Sequence, residues 1–126
     1  MFSHVMLGTD DMPASRAFYD AALGVLGAAP GHEDPKGRVI YVLGGAMFML
    51  TRPINGEPAC HANGGTIGFA CSSTDQLQAW HAAGVANGGT AIEAPPGERQ
   101  SPIGPLHLAY LRDPAGNKLC GVYRPA

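Results

Sequence analysis

The chain has 126 residues, of which 8 are basic and 10 are acidic, giving a formal net charge of −2. This length suffices for one domain with a substantial core, and the near-neutral charge gives no electrostatic reason to expect nucleic acid or an anionic membrane as a partner. No apolar run approaches the roughly 20 residues of a membrane span, and no signal-peptide pattern opens the sequence, so we expect a cytoplasmic protein.

The first part of the chain predicts a strand, a helix and a hairpin. Residues 4–9 alternate as a strand, and Thr9, Asp10 or Asp11 can cap a helix that Gly24 and Gly27 end. Residues 29–37 are rich in Gly and Pro and predict a rim loop. Two apolar runs, residues 39–43 and 46–51, then flank Gly44 and Gly45 and predict a hairpin.

The second part of the chain repeats this order after a linking segment at residues 53–65. Residues 66–71 predict a strand, and Ser72, Ser73 or Thr74 can cap a helix that ends at Gly88 and Gly89. Residues 95–105, rich in Gly and Pro, predict a second rim loop. Residues 106–111 and 118–123 predict a closing hairpin, because the Asp, Pro, Gly and Asn between them favour a tight turn.

The two parts are similar at a constant offset, since Thr66 takes the place of His4 and Trp80 that of Phe18. The sequence therefore predicts an α+β fold with two βαβββ modules in one chain, whose paired sheets curl around a cleft. One domain over residues 1–126 would contain module one at about 1–55 and module two at about 64–126.

Strand periodicity predicts which residues face the cleft, because side chains two positions apart share a face. The more uniformly apolar set should support the helices: Val5, Leu7, Phe48, Leu50, Ile67, Phe69 and Leu119. The other set should line the cleft: His4, Met6, Met47, Met49, Thr66, Gly68, Cys120 and Val122.

Composition bears on assembly and on cysteine chemistry. Charged residues make up only 14% of the chain, against roughly 25% in ordinary domains. An apolar surface of this kind suits a subunit interface, and we expect a homodimer. Cys60, Cys71 and Cys120 are an odd number without framework spacing, which predicts reduced thiols rather than a disulfide scaffold.

Several of these features together resemble the vicinal oxygen chelate superfamily, which includes glyoxalase I, bleomycin-resistance proteins and extradiol dioxygenases. The features are the repeated module, His4 in the first strand, Phe18-Tyr19 followed by Leu23-Gly24, and the turn from Arg112 to Asn117. The resemblance covers nearly the whole chain. It implies paired βαβββ modules and usually a homodimer.

In metal-dependent members of that superfamily, the cleft holds a divalent ion bound by side chains of the first and last strands of each module. The resemblance places these positions at His4, Met49, Thr66 and Cys120. Only His4 is of a type that glyoxalase-like members use, and hard or borderline ions need several oxygen or nitrogen ligands. We therefore expect no cofactor, with a divalent metal held through His4 as the alternative.

Candidate site residues follow from the cleft-facing set and the rim. His4 suits proton transfer near neutral pH, or hydrogen bonding to a ligand, or a structural role. Cys120 is either a buried apolar side chain or a catalytic thiol activated by His4. Candidates for contact with a small-molecule ligand are Met6, Met47, Met49, Thr66, Arg99, His107 and Tyr110.

Three functional hypotheses remain open from the sequence. The first is a metal-independent small-molecule-binding protein of glyoxalase or bleomycin-resistance type, with His4 in an apolar, Met-lined cleft. The second is a divalent-metal-dependent lyase or isomerase. The third is a protein that sequesters a drug or toxic metabolite without altering it. The sequence contains no Gly-rich phosphate-binding loop and no Gly-x-Ser-x-Gly motif, so it does not indicate a nucleotide cofactor site or an acyl-transfer hydrolase.

Overall fold

A computed structural model describes residues 1–125, which form two helices and two four-stranded sheets. The first sheet has the strand order β1-β4-β3-β2 and the second β5-β8-β7-β6. The repeated βαβββ module predicted from the sequence is therefore confirmed, as is the α+β class. The elements are β1 (His4–Gly8), α1 (Met12–Val25), β2 (His32–Glu33), β3 (Val39–Leu43), β4 (Ala46–Thr51), β5 (Ile67–Ala70), α2 (Thr74–Ala86), β6 (Thr90–Arg99), β7 (Leu106–Arg112) and β8 (Lys118–Tyr123).

Both helices begin where the sequence offers a polar cap. The Asp11 carboxylate accepts a hydrogen bond from the Ala14 N–H at 3.0 Å, and the Ser73 hydroxyl accepts one from the Gln76 N–H at 3.0 Å. These bonds occupy N–H groups that have no partner within the helix. Within residues 1–125, neither helix has the length and apolar character needed to cross a membrane.

Both predicted rim loops are partly strand, since residues 29–37 contain the short strand β2 (His32–Glu33). Residues 95–105 were expected to form a rim loop, but β6 continues to Arg99 and only residues 100–105 connect it to β7. Proline is tolerated on an edge strand, where its missing N–H would face solvent, and β6 is the edge strand of its sheet. Its register shifts between Ile92 and Gly97, and Glu93 adopts a φ of 59° there. The bulge accommodates Pro95 and Pro96 without ending the strand.

The core lies between the helices and the sheets. Phe18 of α1 and Trp80 of α2 are both 0% exposed, and the side-chain amide of Gln76 donates to the Val25 carbonyl at 3.2 Å, joining the two helices. The predicted helix-facing residues lie in this core or pack against it. Three of them are buried, namely Phe48, Leu50 and Leu119. The other four are partly buried and pack against the core: Val5, Leu7, Ile67 and Phe69.

A buried polar network connects the two modules. The Tyr19 hydroxyl of α1 donates to the Asp113 carboxylate at 2.6 Å, and the Asn117 amide donates to the same carboxylate at 2.9 Å. Asn117 also donates to the Gly8 carbonyl of β1 at 3.3 Å. Burial, followed by the charge of Asp113, raises the pKa of Tyr19 well above its ordinary value. The turn of the last hairpin thus holds module one against module two.

Candidate functional site

A cavity lies between β1 and β5, each an edge strand of its sheet, and we call it the β1–β5 cavity. Its volume is about 420 Å³, and it is bounded by β1, β5, the C-terminal end of α1 and the turn between β3 and β4. A volume in this range suits a small organic ligand. Its lining is mainly apolar and includes His4, Tyr41, Met47, Phe48, Gly68 and Phe69.

His4 is the only imidazole in the lining of this cavity. It is the first residue of β1 and is exposed, and Met47 of β4 is its neighbour in the parallel ladder. The Ser3 hydroxyl shares a hydrogen bond with His4 Nδ1 at 2.8 Å. This contact orients the ring through Nδ1, so Nε2 is the nitrogen left to contact a ligand. Of the predicted site residues, the structure brings His4 and Met47 together here.

We call the face of each sheet opposite the helices the cleft face. Met6 and Met49, the other two predicted methionines, lie on this face but do not line the cavity. Met6 and Met49 are register partners in β1 and β4. Met6 is 38% exposed, whereas Met49 is only 5% exposed. The sequence predicted a cleft lined by several methionines. The β1–β5 cavity is instead lined by one methionine and several aromatic side chains.

Cys120 lies on the cleft face of the second sheet, outside the cavity lining that contains His4. It is the register partner of Gly68 on one side and of Tyr110 on the other. Burial raises the pKa of the Cys120 thiol, and the neighbouring Tyr110 hydroxyl only partly offsets that rise. A thiol in these surroundings stays protonated near neutral pH, which is the opposite of nucleophile activation.

The remaining predicted ligand contacts are scattered. The Arg99 guanidinium donates to the Pro95 carbonyl at 2.8 Å and to the Glu98 carbonyl at 3.2 Å, so it braces the bulge in β6. Thr66 lines a separate pocket of about 90 Å³ beside Lys118.

His107 and Tyr110 are on opposite faces of β7, because they are three positions apart in a strand. Tyr110 faces Cys120 on the cleft face. The His107 ring lies against Tyr123, with ring centroids 5.8 Å apart. His107 shares its face with Ala109 and Leu111, which are buried in the core, so it points to the helix side and not into the cleft.

The four positions that the family resemblance assigns to a metal do not supply a suitable ligand set. They present one imidazole, one thioether, one hydroxyl and one buried thiol with a raised pKa, at His4, Met49, Thr66 and Cys120. Ni²⁺, Zn²⁺ or Mn²⁺ sites need several nitrogen, carboxylate or thiolate ligands. Within residues 1–125, no group of three or more His, Cys, Asp or Glu side chains converges on one point.

Sequence reasoning missed the aromatic part of the cavity. Phe48 and Phe69 were assigned to the helix side, yet both line the cavity, and their ring centroids are 5.6 Å apart. Tyr41 lines it too, while its hydroxyl donates to the Asp20 carboxylate at 2.7 Å. A period-two pattern shows which face a side chain takes, but it does not show that the two sheets separate between β1 and β5.

Comparison with known proteins supports one superfamily. The model of the glyoxalase/bleomycin resistance protein/dioxygenase superfamily matches residues 1–120. A glyoxalase/bleomycin resistance protein from Albidiferax ferrireducens T118 has a crystal structure that is 54% identical, with a TM-score of 0.95 over 98% of this chain and 99% of that chain. A search of curated protein sequences found no significant match.

More distant structures share the fold alone. A glyoxalase-related enzyme from Fulvimarina pelagi is 20% identical, with a TM-score of 0.76 over 99% of this chain and 88% of that chain. A lactoylglutathione lyase from Agrobacterium tumefaciens is 23% identical, with a TM-score of 0.67 over 98% of this chain and 92% of that chain.

Proposed function

The chain belongs to the glyoxalase/bleomycin resistance protein/dioxygenase superfamily, and we propose that it binds a small, mainly apolar organic molecule in the β1–β5 cavity without a metal ion. The observation that carries this proposal is the cavity itself, about 420 Å³ in volume and mainly apolar, with His4 and Tyr41 as its polar side chains. Pockets of this size and character with few polar groups are typical of small-molecule sites.

Metal independence is supported by the chemistry of the residues at the family's ligand positions. Met49 and Cys120 supply no anionic oxygen of the kind that compensates a divalent ion for its lost water. The raised pKa of Cys120 works against a thiolate ligand as well. A divalent-metal-dependent lyase or isomerase is therefore the weaker alternative.

His4 is the side chain to which we assign polar contact with the ligand. With Nδ1 hydrogen-bonded to Ser3 at 2.8 Å, Nε2 can accept or donate a hydrogen bond, and it can move a proton if the ligand offers an acidic C–H or O–H. Cys120 has neither access to this cavity nor a lowered pKa. The proposal thus places any acid–base chemistry on His4 alone.

Sequestration without turnover is the second candidate function, favoured by the same scarcity of polar groups. Two titratable side chains line the cavity, but the Tyr41 hydroxyl already donates to Asp20 and burial raises its pKa, so only His4 is available for proton transfer. Most acid–base mechanisms need at least two groups with distinct protonation states. Binding needs only shape complementarity and a few oriented polar contacts. A His4→Ala variant that keeps its ligand affinity and its protective effect would support sequestration, whereas lost turnover with intact binding would support catalysis.

The test of the binding site uses an apolar probe and two matched variants. Propylbenzene titrated into the ¹⁵N-labelled protein should shift the amide resonances of Gly68 and Phe69, which line the cavity. Met47→Asp places a charge in the cavity and should abolish these shifts. Val85→Asp places the same charge on an exposed position of α2 outside it and should leave them intact. Equal binding by both variants would contradict the assignment.

A cytoplasmic homodimer is part of the proposal. Several large apolar side chains outside the core are exposed, among them Val42 at 59% and Ile103 at 67%, and such surface favours association. Sedimentation equilibrium at micromolar concentration should give twice the mass of the chain. A monomeric mass would remove the dimer from the proposal without affecting the binding site.

A further inference from the structure

We propose that the free edge of β5 recognises an extended, peptide-like amide within the β1–β5 cavity, an inference that rests on the proposed binding function and names its ligand class. The element concerned is the backbone of Gly68 and Ala70. Both residues line the cavity, and β5 is the edge strand of its sheet, paired only with β8.

The direction of the backbone groups follows from the ladder. The Cys71 N–H donates to the Val122 carbonyl of β8 at 2.7 Å. Backbone groups of successive residues in a strand point alternately to its two edges. Those of Phe69 and Cys71 therefore point towards β8, and those of Gly68 and Ala70 point away from it, into the cavity. Within residues 1–125, these outward N–H and C=O groups have no protein partner.

The edge of β1 that lines the cavity also has backbone groups without a strand partner. The Thr9 N–H donates to the Thr51 carbonyl at 3.0 Å, and the Ser3 carbonyl accepts from Met47. The odd-numbered residues of β1 thus face β4, and the backbone of His4 faces the cavity. No ladder pairs β1 with β5, since the two strands belong to separate sheets. Unpaired backbone donors and acceptors in a mainly apolar cavity favour a ligand that supplies the complementary groups.

The spacing selects the chemical class of that ligand. Gly68 and Ala70 are two positions apart, about 6.6 Å along a strand, so they match the alternating donors and acceptors of one extended amino-acid unit. Main-chain pairing of this kind is a general mode of peptide recognition. Gly68 and Ala70 both line the cavity, and Gly68 carries no side chain that could cover this edge.

The side chain of such a ligand has an aromatic environment. Phe48 and Phe69 line the cavity with ring centroids 5.6 Å apart, and aromatic groups favour edge-to-face or offset contacts at such distances. An N-acylated derivative of an apolar or aromatic amino acid therefore fits both the polar edge and the apolar lining. The bounded volume favours a small compound of this class over a long protein strand.

The test compares two probes that differ by one hydrogen-bond donor. N-acetylphenylalanine methylamide should bind the wild-type protein about fivefold to tenfold more tightly than its analogue methylated on the phenylalanine nitrogen, because one edge hydrogen bond is lost. The amide protons of Gly68 and Ala70 should move downfield with the first probe. Equal affinities with no downfield shift would overturn the inference.

Two substitutions at Ala70 provide an independent comparison. Ala70→Pro removes the N–H that faces the cavity and leaves the ladder to β8 intact, since that N–H takes no part in it. Ala70→Val adds similar bulk and keeps the N–H. The amide probe should bind the valine variant more tightly than the proline variant, and equal binding would count against edge recognition.

Propylbenzene distinguishes failure of the edge inference from failure of the proposed binding function. If it binds while the two amide probes bind equally, the cavity functions as a ligand site and the edge inference is wrong. If neither propylbenzene nor any amide probe shifts the cavity resonances, the proposed binding function itself fails.

Discussion

Gly84 of α2 tests how closely this helix packs against β7 of its own module and α1 of the other. A Cβ at this position would overlap Cδ1 of Leu111 and come within 3.1 Å of Cε2 of Phe18. Leu111 and Phe18 are both 0% exposed and belong to the hydrophobic core, so a shift of either side chain disturbs its packed neighbours. Overpacking of this kind costs about 1–3 kcal/mol, and the middle of that range applies because the overlapped atom is a terminal methyl of Leu111, which can relax in part.

Helix propensity acts in the opposite direction, because replacing Gly by Ala inside a helix stabilises it by about 1 kcal/mol. We therefore expect Gly84→Ala to lower the free energy of unfolding by about 1 kcal/mol after this gain. Gly24→Ala in α1 is the matched control, since nothing lies within 4 Å of a Cβ at that position. It should stabilise the protein by up to about 1 kcal/mol.

The assay is equilibrium unfolding in urea, followed by fluorescence of Trp80, the single tryptophan of the chain, which is 0% exposed when folded. The midpoint should fall for Gly84→Ala and rise or stay constant for Gly24→Ala, with similar slopes. If the two variants change stability in the same direction and by the same amount, the close contacts with Leu111 and Phe18 do not exclude a side chain at position 84, and the packing argument is wrong.

Three further outcomes are expected. Tyr19→Phe should lower the free energy of unfolding by about 1.5–3 kcal/mol, measured by urea titration, because the Asp113 carboxylate loses a buried hydrogen bond. Iodoacetamide at pH 8 should modify the exposed Cys60 first in peptide mass spectra, since burial raises the pKa values of Cys71 and Cys120 and keeps them as thiols; faster labelling of Cys120 would contradict this. Dialysis against EDTA and then addition of Ni²⁺ should leave the melting temperature unchanged, whereas a rise with Ni²⁺ would support a metal site.

Features encoded by local turn chemistry were predictable from the sequence. The hairpin at β3 and β4 was predicted with its observed bounds, because Gly44 and Gly45 take positive φ values of 60° and 80°, which few other residues adopt. The closing hairpin differed by one residue, since β7 extends to Arg112. The Asp113 carboxylate accepts hydrogen bonds from Ala115 and Asn117 within its own turn, so this element is also specified locally.

The strand β6 shows where the local reading was wrong. Pro95 and Gly97 predict a loop when only neighbours in sequence are considered. The strand continues because β7 supplies partners on one side and solvent lies on the other, an arrangement that depends on residues 106–112 and not on β6 itself. The prediction for His107 was wrong for a different reason. Strand alternation places His107 and Tyr110 on opposite faces of β7, whereas the predicted ligand contact relied only on the position of His107 beside the rim loop.

The site could be predicted only in part, and the reason is geometric. His4 and Met47 were identified because strand alternation predicts which face a residue takes, and both line the cavity. The aromatic lining was not found, because the cavity forms where β1 and β5 end their sheets without pairing with each other. The same separation exposes Phe48 and Phe69 to the cavity and leaves the backbone of Gly68 without a partner. Cavity, aromatic lining and free strand edge are therefore consequences of one structural feature, and a ligand bridging that gap would contact all three.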